Sequence, residues 1–290
     1  MSSTTTAAPG TAASHAAGTR TNRYYRRFDR VERVMHALLM VTFIGCALTG
    51  LPLLLADEKW SAVLVKLFGG FEGAGLVHRI CAAVMIAVFV AHVVRVSLRA
   101  LKGSGLLGVL WGPNSMVPQP QDIIDMYRHV KWFVGAGPRP QFDRWTYWEK
   151  FDYWAVFWGM FIIGGSGLLL WFPEFFAKFL PGWAFNIATL VHGEEALLAV
   201  GFIFTIHFFN GHLRPEKFPM DRVIFTGRIP EHEMKDERTT EYARLTSAGR
   251  LAAQEVGPPS RASIAFGTYV GGASVILGVL TIILIFYSFL

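Results

Sequence analysis

Charged residues are scarce in this chain of 290 residues, where Asp, Glu, Lys and Arg together make up 17% of the sequence. A typical soluble domain carries about 25%. Hydrophobic residues make up 52%, and the mean hydropathy is +0.38. This balance excludes an ordinary soluble globular protein. The net charge of +6 does not predict nucleic-acid binding, because the basic residues border apolar runs, as they do at a membrane face.

Cysteine is also scarce, and an apolar leader is missing. Cys46 and Cys81 are the only cysteines. Both lie in apolar runs without metal-ligand spacing, so we expect buried thiols and no disulfide. Residues 1–22 are rich in Ser, Thr, Ala and Gly and lack the apolar core of a signal peptide, which predicts a disordered tail.

Long apolar runs are what the chain has in excess. A spanning helix needs about 20 mostly apolar residues. Five segments qualify: Val34–Ala56, Ala74–Leu98, Tyr153–Pro173, Phe185–Gly211 and Ala262–Leu290. The predicted fold is therefore all-α, an integral membrane helix bundle of five transmembrane helices.

The predicted domain organisation follows these spans. A four-helix core occupies residues 23–215 and includes a long cytoplasmic loop at 99–152. Residues 216–261 form a second cytoplasmic connection, in which the charged stretch Glu231–Glu241 is predicted to be a solvated helix. Residues 262–290 form the fifth span.

Basic residues predict the orientation of the spans. The segment before the first span, the second-to-third connection and the fourth-to-fifth connection together carry 23 Lys and Arg, whereas the two alternate connections carry 3. Positive residues concentrate on the cytoplasmic side. We therefore expect a multi-pass protein of the bacterial cytoplasmic membrane, in contact with lipid, with its N-terminus in the cytoplasm and its C-terminus outside.

Histidine is the most informative residue type. Three of the nine histidines lie in the tail or the connections and are predicted to be solvated: His15, His129 and His232. The other six lie within or at the ends of spans: His36, His78, His92, His192, His207 and His212. A polar group in hydrocarbon needs a partner, so these six are candidates for function.

Two spans carry histidine pairs at similar spacing. His78 and His92 are 14 residues apart, and His192 and His207 are 15 apart. Along an α-helix, 14 residues return to within about 40° of the starting direction and 15 to within about 60°. Since both spans run from outside to inside, His78 and His192 share the outer depth, and His92 and His207 share the inner one. Facing imidazoles can ligate haem iron from both sides, and such bis-ligation favours electron transfer.

The inner depth offers a further candidate. His36 lies near the cytoplasmic start of the first span, so spacing leaves both His36 and His92 open as the partner of His207. Arg79, next to His78, is predicted to pair with haem propionates, unless it only extends to the membrane interface. The residues thus predict two haem b groups, with five candidate axial histidines.

Several motifs resemble a known family. Arg33-Val34-Met35-His36 and Ala47-Leu48-Thr49-Gly50 resemble the first span of the gamma (cytochrome b) subunit of respiratory formate dehydrogenases. That wider family includes the cytochrome b subunits of thiosulfate reductases and nickel–iron hydrogenases. His78-Arg79 is similar to its second-span ligand region, and the stretch from Leu190 to His207 is similar to its fourth-span pair.

The resemblance covers about residues 25–215 and implies a ligand set. His78 and His192 would hold the outer haem, and His36 with His207 the inner one. This chain departs from the family in three respects. Its fourth-span pair is one residue further apart than usual, and it adds both His92 and a fifth span.

The resemblance also implies electron exchange between the quinone pool and a redox subunit on the outer face. That subunit would be an iron–sulfur protein or, by similarity of the segment from His207 to Pro219 to one subgroup, a multihaem cytochrome c. The chain would then be the electron-transfer subunit of a quinone-linked oxidoreductase complex. Asn210, His212 and Arg214 are candidates for the quinone site near the inner haem. The alternative is that they cap the helix end and bind lipid phosphate.

Two other classes of function are open on the residues alone. A transporter or proton channel with a histidine relay would need more intramembrane carboxylates than Glu194 and Glu195. A haem-free membrane anchor for a soluble enzyme would give no reason for spaced histidines. A reduced b-type haem band in the visible spectrum, with two haems per chain, distinguishes the predicted cytochrome from both.

Overall fold

The computed structural model describes residues 23–290, so the predicted disordered tail and His15 lie outside the described residues. It contains five helices long and apolar enough to cross a membrane, and we number them spans 1 to 5. Their bounds are Arg30–Leu54, Gly70–Gly103, Tyr147–Trp171, Gly182–Leu213 and Arg261–Ser288. The predicted all-α membrane bundle is confirmed.

Helices dominate the chain, and the strands are short. The α-helices are α1 (Arg30–Leu54), α2 (Lys59–Leu67), α3 (Gly70–Arg99), α4 (Gly105–Leu110), α5 (Pro120–Phe133), α6 (Tyr147–Gly159), α7 (Gly165–Trp171), α8 (Pro173–Phe176), α9 (Gly182–Phe202), α10 (Val223–Thr226), α11 (Glu231–Glu237), α12 (Thr239–Ser247), α13 (Arg261–Phe266) and α14 (Gly272–Ser288). Segments of π-helix occupy Ala100–Ser104, Met160–Gly164, Ile203–His207, Phe209–Leu213 and Gly267–Gly271, and Ala252–Gln254 is a 3-10 turn. The strands are β1 (Tyr24–Arg26), β2 (Arg228–Pro230) and β3 (Glu255–Val256).

Span 1 begins at a capping box. The Asp29 side chain accepts from the Glu32 amide, and the Glu32 side chain accepts from the Asp29 amide, each at 2.9 Å. These bonds satisfy amide groups that a helix start leaves without partners. Arg95 and Arg99, at the end of α3, both bind Asp29. The start of span 1 is therefore tied to the end of span 2.

Span 5 packs on the outside of the bundle, against span 4. A Cβ at Gly278 would lie 2.5 Å from Phe208 and 2.8 Å from Phe204, so only glycine allows this approach. Both phenylalanines are buried in a cluster with Ala47 and Leu51 of span 1. The fifth span thus covers a surface of span 4 that would otherwise face lipid.

A small antiparallel sheet lies outside the membrane-spanning segments, on the side where span 1 begins. Strand β1 pairs with β2 on one edge and with β3 on the other. Tyr25 of β1 is 1% exposed and packs with Ile229, Met234 and Leu245. We call β1, β2, β3, α10, α11 and α12 the sheet unit, and the face on which it lies the sheet side.

Buried ion pairs join parts of the sheet unit to one another and to span 3. Arg27 and Glu241 are each only 4% exposed and lie 3.4 Å apart, while Arg238 binds Glu149 with both guanidinium nitrogens at 2.8 Å. Burial and the nearby charge of Arg238 lower the pKa of Arg27 to about 10. The expectation of a solvated helix over Glu231–Glu241 is wrong at its end, because Glu241 is a buried counter-ion.

Replacing Glu241 with glutamine is expected to lower the thermal stability of the protein. The substitution leaves the buried Arg27 guanidinium without that counter-charge, and removing one partner of a buried pair costs about 3 kcal/mol. The melting temperature of the purified protein measures the loss. Glu255→Gln, at an exposed position on β3, is the control, and an equal fall in both variants would contradict the assignment.

Candidate functional site

His78 of span 2 and His192 of span 4 face each other in the half of the bundle away from the sheet side. Their ring centres are 6.2 Å apart, and the ring planes cross at 69°. Both side chains are half-buried. The expectation that these two spans present imidazoles to each other at one depth agrees with this geometry.

Hydrogen bonds fix the orientation of the His78 ring. The Thr49 hydroxyl donates to the Gly45 carbonyl at 2.7 Å and lies 3.0 Å from His78 Nδ1. Because the hydroxyl proton is committed to the carbonyl, the hydroxyl oxygen accepts from Nδ1–H. Nε2 is then the ring nitrogen of His78 that remains available to a ligand.

The His192 ring is held in the same tautomer. Its Nδ1 lies 3.0 Å from the Ile163 carbonyl, which can only accept a proton. Ile163 lies in the π-helical segment of span 3, where the altered bonding pattern leaves carbonyls available to side chains. Ser166 adds a contact at 3.3 Å. A ligand nitrogen whose ring partner is fixed in this way is typical of metal-binding histidines.

Glycines lie against both rings. A Cβ at Gly50 would lie 3.1 Å from His78 Cε1, and a Cβ at Gly167 would lie 3.0 Å from His192 Cε1. Both separations are tighter than ordinary van der Waals contact, so any larger residue would push the imidazole aside. The two glycines therefore hold space beside the facing histidines.

This pair fits an axial haem site. A metal bonded at about 2 Å to an imidazole nitrogen on each side separates the two ring centres by about 6 Å, close to the 6.2 Å observed. The crossing angle is compatible, since each ring can turn about its own iron–nitrogen bond. Two imidazoles whose Nδ1 atoms are engaged by the protein can offer Nε2 to iron, which is a suitable donor set for haem.

Substituting Gly167 with valine is expected to reduce haem content and to broaden or shift the reduced absorption band. The added side chain would collide with His192 Cε1 and displace the ring from its position opposite His78. Gly165→Val is a close control, because a Cβ there meets nothing within 4 Å. Haem extraction and the reduced-minus-oxidised spectrum measure the effect, and equal spectra for the two variants would argue against a ligand role of His192.

A second group of histidines lies nearer the sheet side. His207 Nδ1 is 2.9 Å from the Asp152 carboxylate, which accepts its proton, so Nε2 is the ring nitrogen that lies outside this contact. His36 and His212 both lie within electrostatic range of His207. His36 packs edge-on against Phe225, with ring centres 6.5 Å apart.

A π-helical segment explains the wider spacing of the span 4 pair. The segment Ile203–His207 lies between His192 and His207 and ends at the second histidine. A π turn inserts one residue into the helical repeat, so His207 takes about the direction of an α-helical residue 14 steps on, within about 40° of His192. The pair therefore lies close to one helix face in spite of its 15-residue spacing.

His92 occupies a different environment. Its Nε2 lies 2.9 Å from the Tyr153 hydroxyl, and its ring contacts Tyr153 and Phe157 edge-on. On His92, therefore, Nε2 is engaged, whereas on His78, His192 and His207 the hydrogen bonds within residues 23–290 are made by Nδ1.

The remaining predicted site residues are dispersed. Arg79 is exposed and extends back along its own helix over Gly75. Asn210 is half-buried, and His212 Nδ1 is buried without a hydrogen-bond partner in residues 23–290. Arg214 faces the sheet unit, 3.8 Å from Glu237 and stacked over Trp148.

The two glutamates of span 4, Glu194 and Glu195, lie in the middle third of that helix. Glu194 is exposed, and Glu195 accepts a hydrogen bond from the Trp158 indole at 3.1 Å. Trp158 belongs to span 3, so the contact ties these two spans together.

Two residues escape prediction from the sequence. Asp152 directly precedes the apolar run of span 3, and a carboxylate beside a histidine-rich bundle is the signal that could identify it. His129 is predicted to be solvated, but it is 8% exposed and stacks on Phe133, with ring centres 4.4 Å apart. Burial, with the charge of Arg139, lowers the pKa of His129, so it belongs to an aromatic core and not to the solvent.

Comparison with known proteins agrees with a haem-binding role for this bundle. No curated protein matches the chain significantly. The family described as prokaryotic cytochrome b561 matches residues 27–214. This range includes spans 1 to 4 and all six intramembrane histidines, and it leaves span 5 outside. The chain belongs to the prokaryotic cytochrome b561 family, and it is a membrane cytochrome that binds haem b and transfers electrons.

Proposed function

We propose that this protein is a di-haem cytochrome b that carries electrons across the membrane between the quinone pool and a redox subunit on the outer face. The observation that carries the proposal is the His78–His192 pair, with ring centres 6.2 Å apart and both Nδ1 positions bonded to protein acceptors. This pair would ligate the outer haem. Bound haem supplies one-electron chemistry, and the protein supplies ligands and surroundings.

The inner haem would be held by His207 and His36. Asp152 engages the Nδ1 of His207, so Nε2 is the nitrogen that could ligate iron. His36 lies within electrostatic range of it, whereas the Nε2 of His92 is bonded to Tyr153. Hydrogen bonding thus favours His36 over His92, in agreement with the ligand set that the family resemblance implies.

The quinone site is proposed on the sheet side, next to His207. Of the three candidate residues, His212 is the one whose buried Nδ1 has no partner within the described chain, so it is the group best able to bond a quinone oxygen. Arg214 is engaged by Glu237 and Trp148 and would position the end of span 4. Asn210 would provide a second polar contact.

The excess of basic residues on the sheet side supports a cytoplasmic location for that side. The His78–His192 pair then lies toward the outside, where the redox subunit would dock. Arg79 is exposed near this pair and would meet either haem propionates or the partner. An iron–sulfur protein and a multihaem cytochrome c both remain suitable partners.

The number of haems and the second ligand of the inner haem are tested with the variants His36→Ala and His92→Ala. We expect two haems per wild-type chain, loss of about one in His36→Ala, and retention of both in His92→Ala. Pyridine haemochrome analysis of purified protein gives the count, and redox titration resolves the two sites. Loss of haem from His92→Ala with retention in His36→Ala would reverse the inner assignment, and one haem in the wild type would contradict the di-haem proposal.

A further inference from the structure

Two arginine-rich cavities lie on either side of strand β1, and their charge balance differs. The larger, of about 330 Å³, is lined by Arg27, Arg144 and Arg244 among others. There Glu241 binds both Arg27 and Arg144, and Asp143 binds Arg244. Most of the positive charge in this cavity is therefore neutralised by the protein itself.

The second cavity lacks such compensation. It has a volume of about 270 Å³ and lies between β1, β2 and the first turn of span 1. Four arginines line it: Arg26, Arg30, Arg33 and Arg228. Among residues 23–290, none of the four forms an ion pair with a carboxylate, and Asp29, the one carboxylate in the lining, already binds Arg95 and Arg99.

Two of the four guanidinium groups are held in place by backbone carbonyls. Arg33 Nε donates to the Phe225 carbonyl at 2.7 Å, and Arg228 Nη1 donates to the Gly257 carbonyl at 2.6 Å. The charges of Arg228 and Arg30 both act on Arg33. Each guanidinium has five N–H donors, so most of the donors on these two arginines remain available to a ligand. Positive charges held close together also favour binding of an anion between them.

We propose that this second cavity, which we call the cleft, binds a phosphate-bearing anion. Planar guanidinium groups match phosphate oxygens in pairs, and several of them on one phosphate are typical of phosphate recognition. Arg30 and Arg33 belong to the first turn of span 1, which places the cleft at the depth of lipid headgroups. The phosphate could come from an anionic phospholipid or from solution, and the position at the membrane surface favours the lipid.

The test is calorimetric titration of the purified holoprotein in a non-ionic detergent. The probes are dihexanoyl phosphatidylglycerol, dihexanoyl phosphatidylcholine and inorganic phosphate. Saturable binding of phosphatidylglycerol, weakened by phosphate and much tighter than that of phosphatidylcholine, would establish a lipid headgroup site. Binding of inorganic phosphate alone would establish a site for soluble phosphate, which also supports the proposal.

The variant Arg26→Gln/Arg30→Gln removes two exposed cleft charges whose side chains form no hydrogen bond or ion pair within residues 23–290. It is expected to weaken binding at least tenfold. Arg128→Gln/Lys131→Gln removes two exposed charges from α5, outside the cleft, and should bind like the wild type. The reduced haem spectrum verifies folding of each variant. Absence of saturable binding, equal affinity for phosphatidylcholine, or equal loss in both double variants would overturn the proposal.

Discussion

Replacing His78 with alanine is expected to lower the haem content from two to about one per chain, and replacing His192 should do the same. Under the proposal, each imidazole contributes one of the two axial bonds to the same iron, so losing either ring removes half of the axial ligation of that haem. The lost haem should be the same one in either variant. Redox titration should therefore show the same single remaining potential.

The double variant His78→Ala/His192→Ala should lose no more haem than either single variant. Residues that act on one shared ligand are strongly non-additive, whereas two residues serving different haems would add their losses. His232→Ala removes an exposed histidine on α11 and should leave two haems. If His78→Ala and His192→Ala removed different haems, the pair would not ligate one iron.

The number and positions of the membrane spans could be predicted because they depend on hydropathy alone. All five spans follow from apolar runs long enough to cross a bilayer, and each observed helix overlaps its predicted segment. The sheet unit could not be predicted. Its strands are two or three residues long and pair across more than 200 residues of sequence, so neither periodicity nor turn signals identify them.

The candidate site likewise has a part that could be predicted from the sequence and a part that could not. Spacing on two helices was enough to predict that His78 and His192 face each other, because both lie in regular α-helix. It was not enough for His207, since the π-helical turn before it changes the helical repeat and leaves no clear sequence signal. The groups that bond the Nδ1 atoms of these histidines come from other spans, so they can be identified only in the folded chain. They are Thr49, Ile163 and Asp152.

Asp152→Asn is expected to raise the midpoint potential of the haem that His207 is proposed to bind. The Asp152 carboxylate accepts the Nδ1 proton of His207 at 2.9 Å, and its second oxygen, Oδ1, is buried without a partner among residues 23–290. A charged acceptor makes the imidazole a stronger donor and stabilises the oxidised iron. With the neutral amide this stabilisation falls, and a tenfold change in relative affinity corresponds to a shift of about 60 mV for one electron.

The shift should be confined to one of the two proposed haems, because Asp152 bonds His207 and the His78–His192 pair lies at the other depth. Haem retention should also fall, by about 10- to 100-fold in affinity, as for other residues that orient a metal-bound histidine. Asp236→Asn, an exposed position on α11, controls for loss of a negative charge, and Asp152→Glu should restore part of the potential. A shift in both haems, or a downward shift in either, would show that Asp152 does not act through His207.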